Sequence, residues 1–301
     1  MDEVQFTIPA STSNLGPGFD TLGLALDWRL LVRAKRQGAG LVTNLSISGQ
    51  AAWEGPLREL VAEAVKAWEH KSGKKAEGII LTMESDIPLA RGLGSSAAYR
   101  LAAAAAVNAL SGGALHEPEI LELVSRLEAH TDNAVPCMVG GLTVSGWLGD
   151  RVHFVRYAVP ERYRFVALIP ERELATAKAR EVLPASVPRE HAVFNLQRAL
   201  WLVNAIAHDR PEGLRGVFED CLHQPYRRIL LPFLPAVISA AEQAGAFGAF
   251  LSGAGSTVLA VTDEARAGAV AEAMSKAHEA EGGQARTRVL SPDNDGLQLC
   301  A

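Results

Sequence analysis

Apolar residues along the chain recur at two spacings, every second residue in some segments and every third or fourth in others. The helical spacing is clearest between Leu57 and His70, where an amphipathic helix is predicted. In the first half of the chain the same reasoning predicts strands at 4–8, 22–33, 41–47, 78–83, 140–147 and 152–158, and helices at 57–70, 95–110 and 118–129. In the second half it predicts strands at 164–169, 249–252 and 257–261, and helices at 194–207, 214–220, 236–244 and 265–281.

The order of these elements predicts an α+β fold, because strands and helices do not alternate regularly. The segment Ala158–Tyr163 interrupts the pattern. We therefore expect two domains, residues 1–158 and residues 159–301. A chain of 301 residues is long enough for both to have a buried core.

Composition narrows the classes of partner. The chain is 48% hydrophobic and 21% charged, with a formal net charge of -5. An acidic balance argues against a nucleic-acid partner and against an anionic membrane surface. No apolar stretch reaches the roughly 18 residues of a membrane span. We expect neither nucleic acid nor membrane as a partner, although a small anionic substrate remains compatible with a few local basic residues.

The cysteines indicate a reducing compartment. Cys137, Cys221 and Cys300 are few, far apart and odd in number, and no pair has the spacing of a zinc site. The first residues are acidic and do not resemble a secretory signal. These features predict free thiols and a cytoplasmic protein.

A glycine-serine loop at Gly92–Ala97 leads directly into the predicted helix at 95–110. Exposed backbone N–H groups and the positive end of a helix dipole make such a loop a phosphate site. It matches G-x-G-x-x-A formally, but no strand ends at the first glycine, and no lysine follows as a Walker A loop requires. A glycine turn that merely caps a core helix is the structural alternative. Pro9–Asp20 and Leu251–Leu259 have the same small-residue character, which favours phosphate chemistry.

Together these three segments resemble the three motifs of the GHMP small-molecule kinases, in the right order and spacing. Glu128–Asn133 (EAHTDN) is similar to a signature of the homoserine kinases within that superfamily, as are Glu173–Arg180 and Leu222–Arg227. Ala129, Thr131 and Ser256 depart from the pattern, where glycine, proline and proline are usual. The resemblance covers essentially the whole chain. It implies two α+β domains, the second ferredoxin-like, with the active site in the cleft between them.

The resemblance also implies the co-substrate, ATP, and the cofactor, Mg²⁺. The residues that would bind ATP are Pro88, Leu89, Ala90, Arg91, Gly92, Leu93, Gly94, Ser95, Ser96, Ala97 and Ala98. Mg²⁺ would take oxygen ligands from the Ser96 hydroxyl and the Glu128 carboxylate, with Glu122 as the alternative carboxylate.

The implied substrate is L-homoserine, a zwitterion with a side-chain hydroxyl. By resemblance Asp20 binds the ammonium group and Arg180 and Arg227 bind the carboxylate, with Asn14 and His130 on nearby polar groups. Asp132 is either the general base or a structural residue, in which case Asn133 orients the hydroxyl. A kinase for another small alcohol, such as mevalonate or shikimate, and a non-catalytic metabolite-binding protein are the alternatives. The resemblance further allows a homodimer.

Overall fold

The computed structural model describes residues 2–38, 40–47 and 54–300. Its helices are α1 (Glu54–Ser72), α2 (Ser95–Leu110), α3 (Glu117–Glu128), α4 (Ala134–Val139), α5 (Thr176–Glu181), α6 (Arg189–Ala207), α7 (Gln224–Arg227), α8 (Leu234–Gln243) and α9 (Glu264–Ala280). Its strands are β1 (Glu3–Asn14), β2 (Gly18–Arg36), β3 (Leu41–Ile47), β4 (Ile79–Ser85), β5 (Leu142–Leu148), β6 (Arg151–Tyr157), β7 (Tyr163–Pro170), β8 (Gly248–Leu251), β9 (Val258–Asp263), β10 (Ala285–Leu290) and β11 (Gln298–Leu299). Within these ranges no helix is long and apolar enough to cross a membrane.

The first sheet has seven strands in the order β11-β1-β2-β4-β3, extended by β5 and β6 from the first half of β2. Strand β2 pairs with β4 through its second half and with β5 through residues 22–24, so it belongs to both arms. Helix α2 packs against this sheet, and its run of alanines is almost entirely buried. Small side chains let the helix approach closely, which fixes the loop at its N-terminus against β1.

The second sheet is antiparallel and has the order β10-β7-β9-β8. Numbered within this half of the chain, the order is 4-1-3-2, with α8 before β8 and α9 between β9 and β10. Helices α8 and α9 cover one face and share a core with it, which includes Val166, Leu234 and Val270. The expected α+β class and the ferredoxin-like arrangement of the second half are confirmed. The boundary at residues 158 and 159 stays a prediction.

Several local predictions were wrong or incomplete. The chain forms only a short 3-10 turn at Pro211–Leu214 and no α-helix over 214–220, because Gly216 adopts a φ of 72° that breaks a helix. Strand β1 does not stop at Pro9 but continues to Asn14, with an irregularity after Pro9 that accommodates the missing N–H. Strands β10 and β11 and the short helices α4, α5 and α7 were not predicted.

The last residues return to the first sheet. Asp293 forms an ion pair with Arg29, and Arg29 also donates a hydrogen bond to the carbonyl of Gly296. Phe6 and Thr7 of β1 pair with β11, and the Cys300 N–H donates to the carbonyl of Gln5. The chain therefore leaves the first sheet after β6 and rejoins it at β11.

Candidate active site

A cavity of ≈ 240 Å³ lies where the glycine loop, β1 and β2 meet three segments of the second half of the chain, around residues 174–180, at 227 and at 253–254. Residues from both halves line it. Those singled out in the sequence are Asn14, Asp20, Leu89, Ala90, Gly92, Gly94, Ser95, Ser96, Glu128, His130, Asp132, Asn133, Arg180 and Arg227. The others include Ser13, Leu57, Leu60, Leu174, Ala175, Thr176, Gly253 and Ala254.

The phosphate loop places the N-terminus of α2 at this cavity. Gly94 precedes the helix in the left-handed region, with φ 66° and ψ 16°, and no side chain caps the first turn. The first N–H groups of a helix have no partner within the helix, and Gly94 as the N-cap has no side chain that could accept from them. Gly94, Ser95 and Ser96 line the cavity, so the positive end of the helix dipole faces it.

The three small-residue segments are joined by direct hydrogen bonds. The Ser252 hydroxyl donates to the Gly92 carbonyl at 2.6 Å and contacts the Thr12 hydroxyl at 2.8 Å. The backbone bonds Gly253 N–H to Ser13 O and Ser11 N–H to Leu93 O add to this link. Residues some 240 positions apart in the sequence thus form one wall of the site.

Ser96 and Glu128 form an oxygen-rich pair at the start of α2. The Ser96 hydroxyl donates to Glu128 Oε2 at 2.8 Å, while Arg100 Nη1 donates to Glu128 Oε1 at 2.5 Å. The alternative carboxylate, Glu122, does not line the cavity and instead pairs with Lys71 and Arg151. A hydroxyl and a carboxylate are ligands that Mg²⁺ prefers, so the residues present fit the expected cofactor.

Asp132 is buried at the base of the cavity and is held by its neighbours. His130 Nδ1 lies 2.6 Å from Asp132 Oδ1, and the Asn133 amide donates to the same oxygen at 3.3 Å. Burial opposes the charged imidazole, but the adjacent carboxylate outweighs it and raises the pKa of His130. The Asn133 amide is also engaged by the hydroxyls of Ser11 and Ser13 at 2.9 and 3.1 Å.

Asp20 and Arg180 meet across the cavity. Arg180 donates two parallel hydrogen bonds to the Asp20 carboxylate, at 3.0 and 2.7 Å. The Asp20 N–H donates to the Asn14 side-chain oxygen at 3.0 Å, and the Asn14 amide donates to Gly253 O, also at 3.0 Å. Asn14 therefore sets the position of the Asp20 backbone, which has a φ of 52°.

Arg227 is fully buried beside this pair. Its Nη1 donates to Gly253 O at 2.9 Å and to His223 Nδ1 at 3.0 Å, and its Nε donates to Ala179 O. Burial, with the nearby Arg180 charge, lowers the pKa of Arg227 to about 10, so the side chain is a cation at neutral pH. The Phe19 ring stacks on His223 and lies 5.6 and 5.5 Å from the guanidinium carbons of Arg180 and Arg227.

Five residues of the predicted phosphate segment do not line the cavity. Leu93, Ala97 and Ala98 are core residues behind it, and Pro88 and Arg91 line a neighbouring depression. The Arg91 guanidinium donates to the carbonyls of Leu89, Pro170 and Glu171, so it joins the loop to β7 and the segment after it. Phe19 and His223 lay within segments quoted for the resemblance but were not singled out. Leu57 and Leu60 gave no signal beyond the apolar spacing of α1.

The departures from the motif are accommodated locally. Ala129 ends α3 with a φ of 64°, a conformation that glycine adopts without strain. The Thr131 hydroxyl contacts the Ser145 hydroxyl at 2.8 Å, and the Ser256 hydroxyl donates to Arg172 O. None of these residues displaces a predicted site residue from the cavity.

Comparison with known proteins identifies two matching family models. Residues 59–141 match the GHMP kinases N terminal domain, and residues 201–280 match the GHMP kinases C terminal model. Homoserine kinase of Caldanaerobacter subterraneus subsp. tengcongensis is 36% identical over 296 residues, covering 98% of this chain and 95% of that protein. Homoserine kinase of Petrotoga mobilis is 36% identical over 260 residues, covering 86% of this chain and 85% of that protein.

Solved structures of related proteins have the same fold as this chain. The crystal structure of homoserine kinase from Cytophaga hutchinsonii aligns with a TM-score of 0.88 and 25% identity, covering 100% of this chain and 98% of that one. The structure of L. major mevalonate kinase in complex with R-mevalonate aligns with a TM-score of 0.77 and 15% identity, covering 96% of each chain. The second likeness shows the fold alone.

Proposed function

Because the chain belongs to the GHMP kinases and, within them, to the homoserine kinase family, we propose that it transfers the γ-phosphoryl group of ATP to the side-chain hydroxyl of L-homoserine. The product would be O-phospho-L-homoserine, an intermediate of threonine biosynthesis. The observation that carries the proposal is the juxtaposition of a helix N-terminus with Asp20, Arg180 and Arg227 in one cavity. A phosphate site and a zwitterion site within one cavity match the two substrates.

ATP would bind along the wall formed by the glycine loop. The N–H groups at the start of α2 would contact the phosphates, where the helix dipole favours negative charge. Leu57 and Leu60 of α1 and Leu89 of the loop provide an apolar part of the lining that would suit the adenine ring. Phosphoryl transfer depends mainly on positioning and charge neutralisation, which this wall would supply.

Ser96 and Glu128 would hold Mg²⁺, through the serine hydroxyl and Glu128 Oε2. When bound, the ion neutralises phosphate charge and orients the γ-phosphoryl group. The Ser96 hydroxyl would then turn its proton away from Glu128, because both oxygens act as ligands. Arg100 keeps Oε1 of Glu128 in place from the opposite side.

Asp132 would accept the proton of the substrate hydroxyl. Its Oδ1 is occupied by His130 and Asn133, which leaves Oδ2 for the hydroxyl. Asn133 is engaged by three neighbours and would act by fixing Asp132 rather than by touching the hydroxyl itself. The raised pKa of His130 favours its imidazolium form, which would place a positive charge beside Asp132 Oδ1.

The substrate-binding groups would be Asp20 for the ammonium and Arg180 and Arg227 for the carboxylate. Asn14 contributes by holding the Asp20 backbone. Mevalonate and shikimate carry a carboxylate but no amine, so neither gives Asp20 a cationic partner. This difference favours an amino acid as the acceptor.

The test is a coupled assay of ADP release with Mg²⁺ and ATP against L-homoserine, mevalonate, shikimate and galactose. We expect turnover of homoserine alone, and no turnover when Mg²⁺ is removed with a chelator. Turnover of another alcohol but not homoserine would replace the substrate and keep the kinase. ATP binding without turnover of any alcohol would favour a non-catalytic metabolite-binding protein.

The proposal includes a homodimer. Helix α6 exposes Leu196, Leu200 and Trp201, at 61, 67 and 56% of their surface, and the first two line one depression with the exposed Val155 of edge strand β6. An apolar surface of this kind is typical of an interface between subunits. Light scattering after size exclusion should give twice the monomer mass, and Trp201→Glu should reduce it to the monomer mass. A monomer at micromolar wild-type concentration would contradict this part.

A further inference from the structure

Asp20 and Arg180 form a closed ion pair inside the candidate cavity. Arg180 Nη1 donates to Asp20 Oδ2 at 3.0 Å and Nη2 donates to Oδ1 at 2.7 Å, so both carboxylate oxygens are engaged. The two side chains keep 35 and 37% of their surface exposed. The pair therefore faces the cavity, where a ligand can reach it.

The two partners differ in how firmly they are held. Asp20 lies on β2, and its N–H is fixed by the Asn14 side chain at 3.0 Å. Arg180 lies in the last turn of α5, a helix of six residues, and reaches Asp20 through its long side chain. Arg180 is therefore the partner that can move when a ligand enters.

Arg227 is a fixed cation beside the movable one. Three acceptors hold its Nε and Nη1, and only 1% of its surface is exposed. Its Nη2 forms no hydrogen bond to the part of the chain that the structure describes. An entering carboxylate could thus contact Arg227 without breaking an existing bond, but it must open the Asp20 pair to gain Arg180.

Opening the pair has a different cost for different ligands. A ligand with only a carboxylate satisfies Arg180 and leaves the Asp20 carboxylate without a partner. A ligand with only an ammonium satisfies Asp20 and leaves Arg180 without one. A zwitterion replaces both members, since its ammonium takes the place of Arg180 and its carboxylate the place of Asp20. Removing one partner of a charge-assisted bond costs more than replacing both.

We propose that the Asp20–Arg180 ion pair is a charge filter, which only a zwitterionic alcohol opens without leaving an unpaired charge. The filter weakens the binding of alcohols that carry a single charge, because each leaves Asp20 or Arg180 unpaired. The amino acid pairs with both residues and does not incur this cost. This inference rests on the proposed function and deepens it. It assigns the pair a role in the empty site, in addition to the role of each residue with substrate bound.

The experiment compares kcat/KM for three alcohols at saturating ATP and Mg²⁺. L-homoserine is the zwitterion, 4-hydroxybutyrate lacks its ammonium, and 3-aminopropan-1-ol lacks its carboxylate. In Asp20→Asn the pair is neutralised on one side, and Arg180 is free for a carboxylate. We expect kcat/KM for homoserine to fall about 100-fold and that for 4-hydroxybutyrate to rise about tenfold, because binding its carboxylate to Arg180 no longer leaves a charged Asp20 unpaired, so their ratio changes by about 1,000-fold.

The control is Asp209→Asn. Asp209 also has a positive φ, of 54°, and its Oδ1 forms an ion pair with Arg162 Nε at 2.7 Å, with 47% of its side chain exposed. It does not line the cavity. The substrate ratio of this variant should equal that of the wild type.

Arg180→Gln tests the other half of the filter and protects the test against a failure of Asp20→Asn to fold. Its kcat/KM for 3-aminopropan-1-ol should rise by at least about tenfold above the wild-type value, because the ammonium no longer has to displace Arg180 from Asp20. Unchanged or lower kcat/KM values for the singly charged alcohols in both variants would overturn the filter and leave the proposed function standing. Absence of homoserine turnover in the wild type would overturn the proposed function itself, and this inference with it.

Discussion

Asp132 is the residue on which the mechanism depends, because its carboxylate either accepts the proton of the substrate hydroxyl or only organises the site. It is 1% exposed and lines the cavity, and its Oδ1 lies 2.6 Å from His130 Nδ1 and accepts a hydrogen bond from Asn133. Replacement by asparagine keeps the size and the acceptor for His130 but removes the base. We expect Asp132→Asn to lower kcat by about 1,000-fold, within the usual range for a general base, with little change in KM. A loss of less than about tenfold, roughly 1.4 kcal/mol, would show that Asp132 only organises the site.

Arg100 is a residue that the motif does not account for, and it holds Glu128 from the side opposite Ser96. It also donates to Glu63 at 2.8 Å, so its guanidinium is fixed by two carboxylates. Loss of a residue that orients a metal ligand usually weakens metal binding by about 10- to 100-fold. Titration of Arg100→Ala with Mn²⁺ in the presence of ADP, followed by water proton relaxation, should show a weakening of about tenfold.

Arg126→Ala is a suitable control for that titration, because Arg126 pairs with the almost fully exposed Asp150 and does not line the cavity. Tighter Mn²⁺ binding in Arg100→Ala would contradict the prediction, since it would mean that the positive charge of Arg100 outweighs its orienting effect.

The glycine loop fixes the start of α2 through close backbone approach. A Cβ on Gly94 would lie 1.9 Å from Ser11 Oγ, and Gly94 has a φ of 66°. Gly94→Ala therefore combines backbone strain with a clash at the phosphate site. We expect it to reduce the free energy of unfolding by more than 2 kcal/mol, roughly, and to abolish ATP binding.

Gly112→Ala separates the two effects. Gly112 also has a positive φ, of 81°, but an added Cβ would meet nothing within 4 Å. Urea unfolding should show a loss of about 1 kcal/mol, from backbone strain alone, with ATP binding unchanged. Equal losses in the two variants would mean that the contact with Ser11 is unimportant.

The sequence predicted an element well where residues that begin or end a helix stand at both of its ends. Helix α2 begins after Gly94 and ends before Ser111 and its two glycines, and both ends match the prediction. Helices α5 and α7 were missed because segments of six and four residues are too short to show a period. Strand β10 has a mostly exposed surface and is defined by its pairing with β7, which local sequence does not reveal.

The candidate site shows the same distinction between features that local sequence reveals and features that depend on tertiary contacts. The motif segments predicted which residues would surround the cavity, because each segment is contiguous in sequence. The contact of Arg180 with Asp20 joins residues 160 positions apart, and the placement of Leu57 and Leu60 depends on how α1 packs. Such contacts follow from tertiary structure, so the sequence alone could not show that the two charged residues pair with each other.

At the scale of the whole molecule, the histidines His223 and His130 have opposite pKa shifts. Each should make the free energy of unfolding depend on pH, one on the acid side and the other on the alkaline side. Burial lowers the pKa of His223 to about 4, although Asp220 lies 3.5 Å away. The folded protein then binds fewer protons than the unfolded chain below pH 6.5. Stability should therefore fall as the pH decreases from about 6.5 towards 4.

For His130 the pKa is raised in the folded state, so its contribution is present below about pH 6.5 and is lost as the pH rises through the folded value. Thermal unfolding from pH 4 to 9 checks both. In His223→Gln the stability should fall less steeply as the pH decreases from about 6.5. In His130→Gln the stability should fall less as the pH rises above 6.5. Unchanged profiles in both variants would refute this account.

The return of the chain to its first sheet has a consequence during synthesis. Phe6 of β1 pairs with Leu299, 293 positions later. At an elongation rate of roughly 5 to 20 residues per second, this partner emerges about 15 to 60 s after the strand it covers. Hairpins form within about 10 μs, so β1 and β2 are ready long before β11 arrives. Throughout that interval the outer edge of β1 is open to pairing with neighbouring nascent chains, and crowded polysomes are the setting in which such mispairing is expected.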